Sequence, residues 1–131
     1  MSPAAEKRLL QIVMLLVLLV PLAGSLIGIV RGPEGFDHSA TGVTLDSHFR
    51  YLSGLLMAMV ALFASCVPDI ERKGARLRLV AVLPITGGLA RLLSLIVAGA
   101  PSWQHIAALG IELGVVPLIL FWQARVARRF A

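Results

Sequence analysis

The segment Leu77–Gly99, LRLVAVLPITGGLARLLSLIVAG, decides the fold, because it places one arginine, Arg91, in the middle of an apolar run. The run is long enough to cross a membrane, since a helix needs about 20 residues to span the hydrocarbon core. An arginine left alone in that core is costly, so a carboxylate or a water-filled cavity must receive it. The carboxylate within reach is Glu112, in the next apolar segment. We therefore predict a helix bundle that closes around an Arg91–Glu112 pair.

The composition of the whole chain is that of a membrane protein. Its 131 residues are 58% hydrophobic and its mean hydropathy is +0.89, whereas soluble domains are about 45–50% apolar. Charged residues lie in clusters between four apolar runs. A signal peptide is an alternative for the first run, Leu9–Val30, but this run is longer than the usual apolar region of a signal peptide, which favours a membrane helix. We predict an all-α, antiparallel, polytopic membrane four-helix bundle. It forms a single transmembrane domain over residues 1–131, with helices at about 9–30, 47–67, 77–99 and 105–123.

The basic residues predict the orientation of the bundle. Two of them, Arg31 and Arg50, flank the apolar runs on one side, and nine flank them on the other. The nine are Lys7, Arg8, Arg72, Lys73, Arg76, Arg78, Arg125, Arg128 and Arg129. The positive-inside rule then places both termini in the cytoplasm. Topology and contact with anionic membrane lipids account for the net charge of +5, so we expect no nucleic-acid partner.

Residue spacing predicts that Arg91 faces the interior, at the level of Glu112. Small residues recur with Arg91 at three- and four-residue spacings, which puts them on one helix face. They are Gly87, Gly88, Ser94 and Ala98. Arg91 lies eight residues before the end of its predicted helix, and Glu112 seven residues after the start of the next. Both charges then lie about 10–12 Å below the same end of the bundle, and we predict direct or one-water contact between them.

Further polar residues fall in the same, outer half of the predicted bundle. The candidate ligand-binding residues are Asp46, His48, Arg50, Arg91, His105 and Glu112. With two arginines among them, they predict an outward-facing polar pocket with surplus positive charge. A small anionic or lipid-like ligand would suit such a pocket.

Other kinds of chemistry have less support. The two arginines would repel a metal ion from a site built of Asp46, His48, His105 and Glu112. A proton relay through a histidine and Glu112 is opposed by the same positive charge, which favours the ionised carboxylate. The serines lie in no nucleophile motif, and no phosphate-binding glycine loop occurs. We expect no metal, no cofactor and no catalytic residue. Cys66, the single cysteine, is expected to be an inert buried thiol.

Three stretches resemble a known family. They are LDSHFRYLSG (Leu45–Gly54), GGLARLLS (Gly87–Ser94), and Glu112 with Pro117 and Trp122. They are similar to a family of small bacterial four-helix membrane proteins that is catalogued as a domain of unknown function, DUF4345. The similarity covers most of the chain from Arg31 onward, and the family's charged positions match here as Asp46, Arg50, Arg91 and Glu112. The resemblance implies a location in the bacterial inner membrane and brings no established activity.

Two functions are left open by the sequence. In the first, the polar pocket around Arg91 and Glu112 binds a small anionic or lipid-like ligand. In the second, the chain is a structural accessory subunit, with the charge pair as a clamp between helices three and four. Its partners would then be membrane lipids and either other membrane subunits or further copies of itself. An enzyme that acts on lipids through Glu112 and a histidine ranks below both, so the sequence favours a function other than catalysis.

Overall fold

The computed structural model describes residues 1–131, and its regular structure consists of helices only. Four helices are long and apolar enough to cross a membrane. They are α1 (Pro3–Arg31), α2 (Val43–Ala64), α3 (Gly74–Ala98) and α4 (Trp103–Arg128). The chain is a multi-pass membrane protein, and the all-α four-helix fold predicted from the sequence is confirmed.

The helices begin before their apolar runs do. α1 begins at Pro3 and α2 at Val43, ahead of the predicted starts. Gly42 is the N-cap residue of α2 and has a φ of 122°. Asp46 lies in the first turn of α2, and its amide donates to the carbonyl of Gly42 at 2.9 Å. Polar first turns are helical because water and acidic side chains stabilise the free amides there, which hydropathy does not register.

The chain forms two compact units, and the first comprises residues 1–11 and 68–131. Within it, α3 and α4 run antiparallel. Near the end of α4, Nε2 of the buried Gln123 donates to the carbonyl of Ile70, just before α3, at 2.9 Å. This bond offsets the cost of burying the amide. The apolar core of this pair of helices is formed by Leu77, Val80, Ala81, Pro84, Val116, Ile119 and Val126.

One turn of α4, Ile111–Val115, is π-helical. Pro117 explains it, because proline has no amide hydrogen to donate to the carbonyl of Leu113, and its ring crowds that carbonyl. A wider turn relieves the crowding and lets other amides bond around the gap. Glu112 lies inside this turn. The direction of its side chain is therefore set by the π-helical turn and not by a regular α-helix.

Charged side chains join three parts of the first unit at one end. Glu6, which is 2% exposed, pairs with Arg125 at 3.0 Å and with Arg129. Lys7 Nζ lies 2.8 Å from Oε2 of Glu71, in the loop before α3. Burial favours the neutral form of Glu71. The contact with Lys7, a backbone hydrogen bond and the positive charges of Lys7 and Arg72 together outweigh burial and leave the pKa of Glu71 below its usual value. The start of α1, the loop before α3 and the end of α4 thus lie together.

The second unit comprises residues 12–67 and pairs the rest of α1 with α2. The two helices approach closely at Gly28, where a Cβ would overlap the side chain of Ser53. The hydroxyl of Ser53 donates to the carbonyl of Phe49 at 2.8 Å, and that of the buried Ser25 donates to the carbonyl of Leu22 at 2.8 Å. Because both hydroxyls are satisfied within their own helices, these small residues permit close backbone packing at no polar cost.

Candidate functional site

Arg91 and Glu112 form a two-point ion pair between α3 and α4. The Nε of Arg91 donates to Oε2 at 3.0 Å, and its Nη2 donates to Oε1 at 3.3 Å. This fork-to-fork arrangement is the strong form of an arginine–carboxylate contact. The direct contact predicted from the sequence is therefore present, and the cation on α3 is compensated by the anion on α4.

His105, in the first turn of α4, completes a group of three residues that we call the Arg91 cluster (Arg91, His105 and Glu112). Nη1 of Arg91 lies 2.8 Å from Nδ1 of His105. A guanidinium only donates hydrogen bonds, so Nδ1 must be the acceptor. The imidazole is therefore neutral and carries its proton on Nε2. The cluster holds one positive and one negative charge and has no net charge.

Two backbone features position the cluster. The first is Gly88, one turn before Arg91, where a Cβ would lie 2.9 Å from the Cβ of Glu112 and 2.8 Å from Cδ2 of Leu113. The second is the π-helical turn caused by Pro117, which carries Glu112. The charged groups therefore meet because Gly88 on α3 has no side chain and Pro117 on α4 has no amide hydrogen.

Part of the Arg91 guanidinium is open to a further acceptor. A guanidinium has five N–H groups, and the three hydrogen bonds to Glu112 and His105 leave two of them without a protein acceptor. The side chain of Arg91 remains 31% exposed and that of Glu112 17% exposed. A carboxylate, phosphate or carbonyl oxygen has the geometry to accept from the two remaining N–H groups.

The other charged candidates, Asp46 and Arg50, pair with each other in the second unit, with 2.8 Å between Oδ2 and Nε. Nη1 of Arg50 also donates to the carbonyl of Val30 at 3.1 Å and to that of Ile29. These carbonyls lie at the end of α1, where they lack helical amides and attract a cation. Arg50 therefore caps α1. His48 is exposed, and a role for these three α2 residues in ligand binding stays a prediction.

Two buried polar residues, Glu6 and Gln123, each 2% exposed, were not among the predicted site residues. The sequence does carry a signal for Glu6, which is the one acidic residue before Glu34 and has basic residues beside it and in the C-terminal tail. When those basic residues are used only to assign topology, the carboxylate that a cluster of cations requires is missed. No three His, Cys, Asp or Glu side chains in residues 1–131 are grouped to hold a metal ion.

One family model, described as Domain of unknown function (DUF4345), matches residues 9–123. The chain belongs to the DUF4345 family. The resemblance found in the sequence is confirmed, and the matched part of this DUF4345 chain contains both the Arg91 cluster and the Asp46–Arg50 pair. No curated protein and no solved structure matches it.

Proposed function

We propose that this protein binds a small anionic or lipid-like ligand at the Arg91 cluster. The observation that supports the proposal is the partly exposed guanidinium of Arg91, which has two N–H groups beyond those bonded to Glu112 and His105. Ionisable groups inside membrane spans are costly, and they commonly mark binding sites or pathways for substrates and ions. An oxygen of the ligand would accept from these two N–H groups while Glu112 keeps the cation compensated.

In this proposal the protein lies in the bacterial inner membrane with both termini in the cytoplasm, and the ligand reaches the cluster from the outer side. The family resemblance supports the choice of membrane. The excess of Lys and Arg on one side supports the orientation. The contacts of Glu6 with Arg125 and of Lys7 with Glu71 also support this orientation. They bring the basic segments together at one end of the first unit, and this end would face the cytoplasm.

A structural accessory subunit is the second candidate, and the two-point geometry of the ion pair favours it. In that role Arg91 and Glu112 only clamp α3 to α4, and the outer apolar faces contact other subunits or a second copy. Large apolar side chains are indeed exposed on these helices, among them Leu79, Ile96, Val97, Leu118 and Phe121. Lipid covers exposed apolar faces as well as a partner subunit does, so their exposure does not distinguish the two functions. The test must therefore change the ion pair.

Charge reversal separates the two functions. The variants Arg91→Glu and Glu112→Arg, the double variant and the wild type are purified from their native membrane in mild detergent. Thermal unfolding measures stability, and mass spectrometry identifies small molecules and lipids that co-purify. The double variant restores an ion pair but moves its cation from α3 to α4. Arg76→Gln, which changes an exposed basic residue outside the cluster, serves as the control.

A binding function predicts that the double variant regains stability and still lacks a molecule that the wild type and Arg76→Gln both retain. A clamp predicts that the double variant regains stability and that its set of co-purified molecules equals that of the wild type. If every molecule that co-purifies with the wild type also co-purifies with Arg91→Glu, the binding function is wrong.

A further inference from the structure

A surface depression of about 440 Å³ opens at the end of the first unit where the basic segments meet. One wall is a face of the first turns of α1 and includes Lys7, Arg8 and Gln11. The rest of the lining includes Asp69, in the loop before α3, and Phe130, beyond the end of α4. We call this feature the α1 depression. It does not involve the Arg91 cluster.

The charged side chains of the α1 depression differ in what they already bind. Lys7 is engaged, with its Nζ 2.8 Å from Glu71 and 4.0 Å from Asp69. The side chain of Arg8 is exposed and has no hydrogen-bond or ion-pair partner in residues 1–131. The side chain of Asp69 is 68% exposed. The depression therefore presents an unpaired guanidinium on α1 and an accessible carboxylate in the loop before α3.

The position of the depression indicates what it would meet in a membrane. Arg8 immediately precedes the apolar run of α1, which begins at Leu9, so the guanidinium lies at the level where lipid headgroups meet the hydrocarbon core. A guanidinium matches a phosphate through two parallel N–H groups. A carboxylate near it accepts from an ammonium or hydroxyl group that the same headgroup carries.

We propose that the α1 depression binds the phosphodiester headgroup of a phospholipid, with the phosphate on Arg8 and a hydrogen-bond donor of the headgroup on Asp69. Ethanolamine and glycerol headgroups carry such a donor. Choline does not, because its nitrogen has no hydrogen. This site is independent of the function proposed for the Arg91 cluster, and either can be wrong without the other.

Asp69 offers a clean substitution for the test. It is the one residue other than glycine with a positive φ, with φ 51° and ψ 41°. Most side chains are strained in this left-handed conformation, whereas Asp and Asn tolerate it. Asp69→Asn therefore removes the charge and leaves the loop backbone undisturbed.

Native mass spectrometry of the full chain in detergent tests the proposal by titration with lipids of identical acyl chains. The lipids are phosphatidylglycerol, phosphatidylethanolamine and phosphatidylcholine, and inorganic phosphate is titrated separately. We expect the first two to be retained in preference to phosphatidylcholine. Arg8→Gln should lower their retention about five- to tenfold, as expected for loss of a charge-assisted contact. Arg128→Gln is the same change at an exposed arginine outside the depression. It should leave lipid retention within about twofold of the wild-type value.

Asp69→Asn keeps a hydrogen-bond acceptor but loses the charge. It should therefore reduce the preference for phosphatidylethanolamine over phosphatidylcholine and leave the binding of phosphatidylcholine itself unchanged. Equal losses in Arg8→Gln and Arg128→Gln would show general attraction of anions to the basic end and would overturn the proposal. Undiminished retention in Arg8→Gln would overturn it as well. If inorganic phosphate displaces the lipid and depends on Arg8, the site belongs to a free anion, and the lipid is not its occupant.

Discussion

The α-carbon of Gly88 on α3 faces Glu112 on α4 so closely that a Cβ at residue 88 would lie 2.9 Å from the Cβ of Glu112. Its neighbour Gly87 has nothing within 4 Å of the same hypothetical atom. Two adjacent glycines on one helix thus have opposite environments. One lies at the contact that holds the Arg91 cluster, and the other lies outside that contact.

The substitution Gly88→Ala should separate α3 from α4 at the cluster. We expect it to lower the free energy of unfolding by about 1–3 kcal/mol, as overpacking of a close contact does. Gly87→Ala is the matched control and should be neutral or stabilising, because alanine favours a helix over glycine and has room here. Thermal unfolding of the purified variants in detergent measures both. Equal effects of the two substitutions would contradict the assigned helix contact.

Removing the charge of Glu6 should loosen the end of the first unit. In Glu6→Gln, the guanidinium groups of Arg125 and Arg129 lose the carboxylate that both contact. We expect faster hydrogen exchange in the first turns of α1 and the last turns of α4, together with a lower Tm. Glu34→Gln changes an exposed acid in the loop after α1 and should leave exchange in those turns unchanged. Wild-type exchange rates in Glu6→Gln would show that the contacts contribute nothing.

Glu71 should make the free energy of unfolding depend on pH. Burial raises the pKa of its carboxyl, but the contact with Lys7, a backbone hydrogen bond and the positive charges of Lys7 and Arg72 together outweigh burial. The pKa in the folded protein is therefore lower than the usual value of 4.5. The ionised carboxylate therefore stabilises the fold above about pH 4.5, and this stabilisation is lost as the pH falls through the lower folded-state pKa. Thermal unfolding between about pH 3 and pH 7 should show a smaller acid decline in Glu71→Gln than in the wild type. Parallel curves for the two proteins would rule this contribution out.

Arg50→Gln should fray the end of α1. The carbonyls of Ile29 and Val30 lose the cation that now bonds both of them, and Asp46 loses its ion-pair partner. We expect faster proteolysis in residues 32–42, the segment that joins α1 to α2. His48→Gln, an exposed change on the same helix, should leave the rate unchanged. If the two variants are cut at the same rate, Arg50 does not cap α1.

The sequence by itself determined the four membrane helices and the contact between Arg91 and Glu112. Four apolar runs of sufficient length specify four helices, because in lipid a chain must satisfy its own backbone hydrogen bonds. The level of the two charges follows from the constant rise per residue of a helix. A lone intramembrane arginine and a lone carboxylate at one level in neighbouring antiparallel helices leave few other pairings.

Only the tertiary structure decided which partner each remaining polar group has. It assigned Nδ1 of His105 to Arg91, made Arg50 a cap of α1 and paired Glu6 with Arg129, 123 positions away in the chain. Helix formation depends on residues within a few positions of one another. The partner of a polar side chain depends instead on which faces of two helices meet and on where the loops return the chain, and neither is a local property.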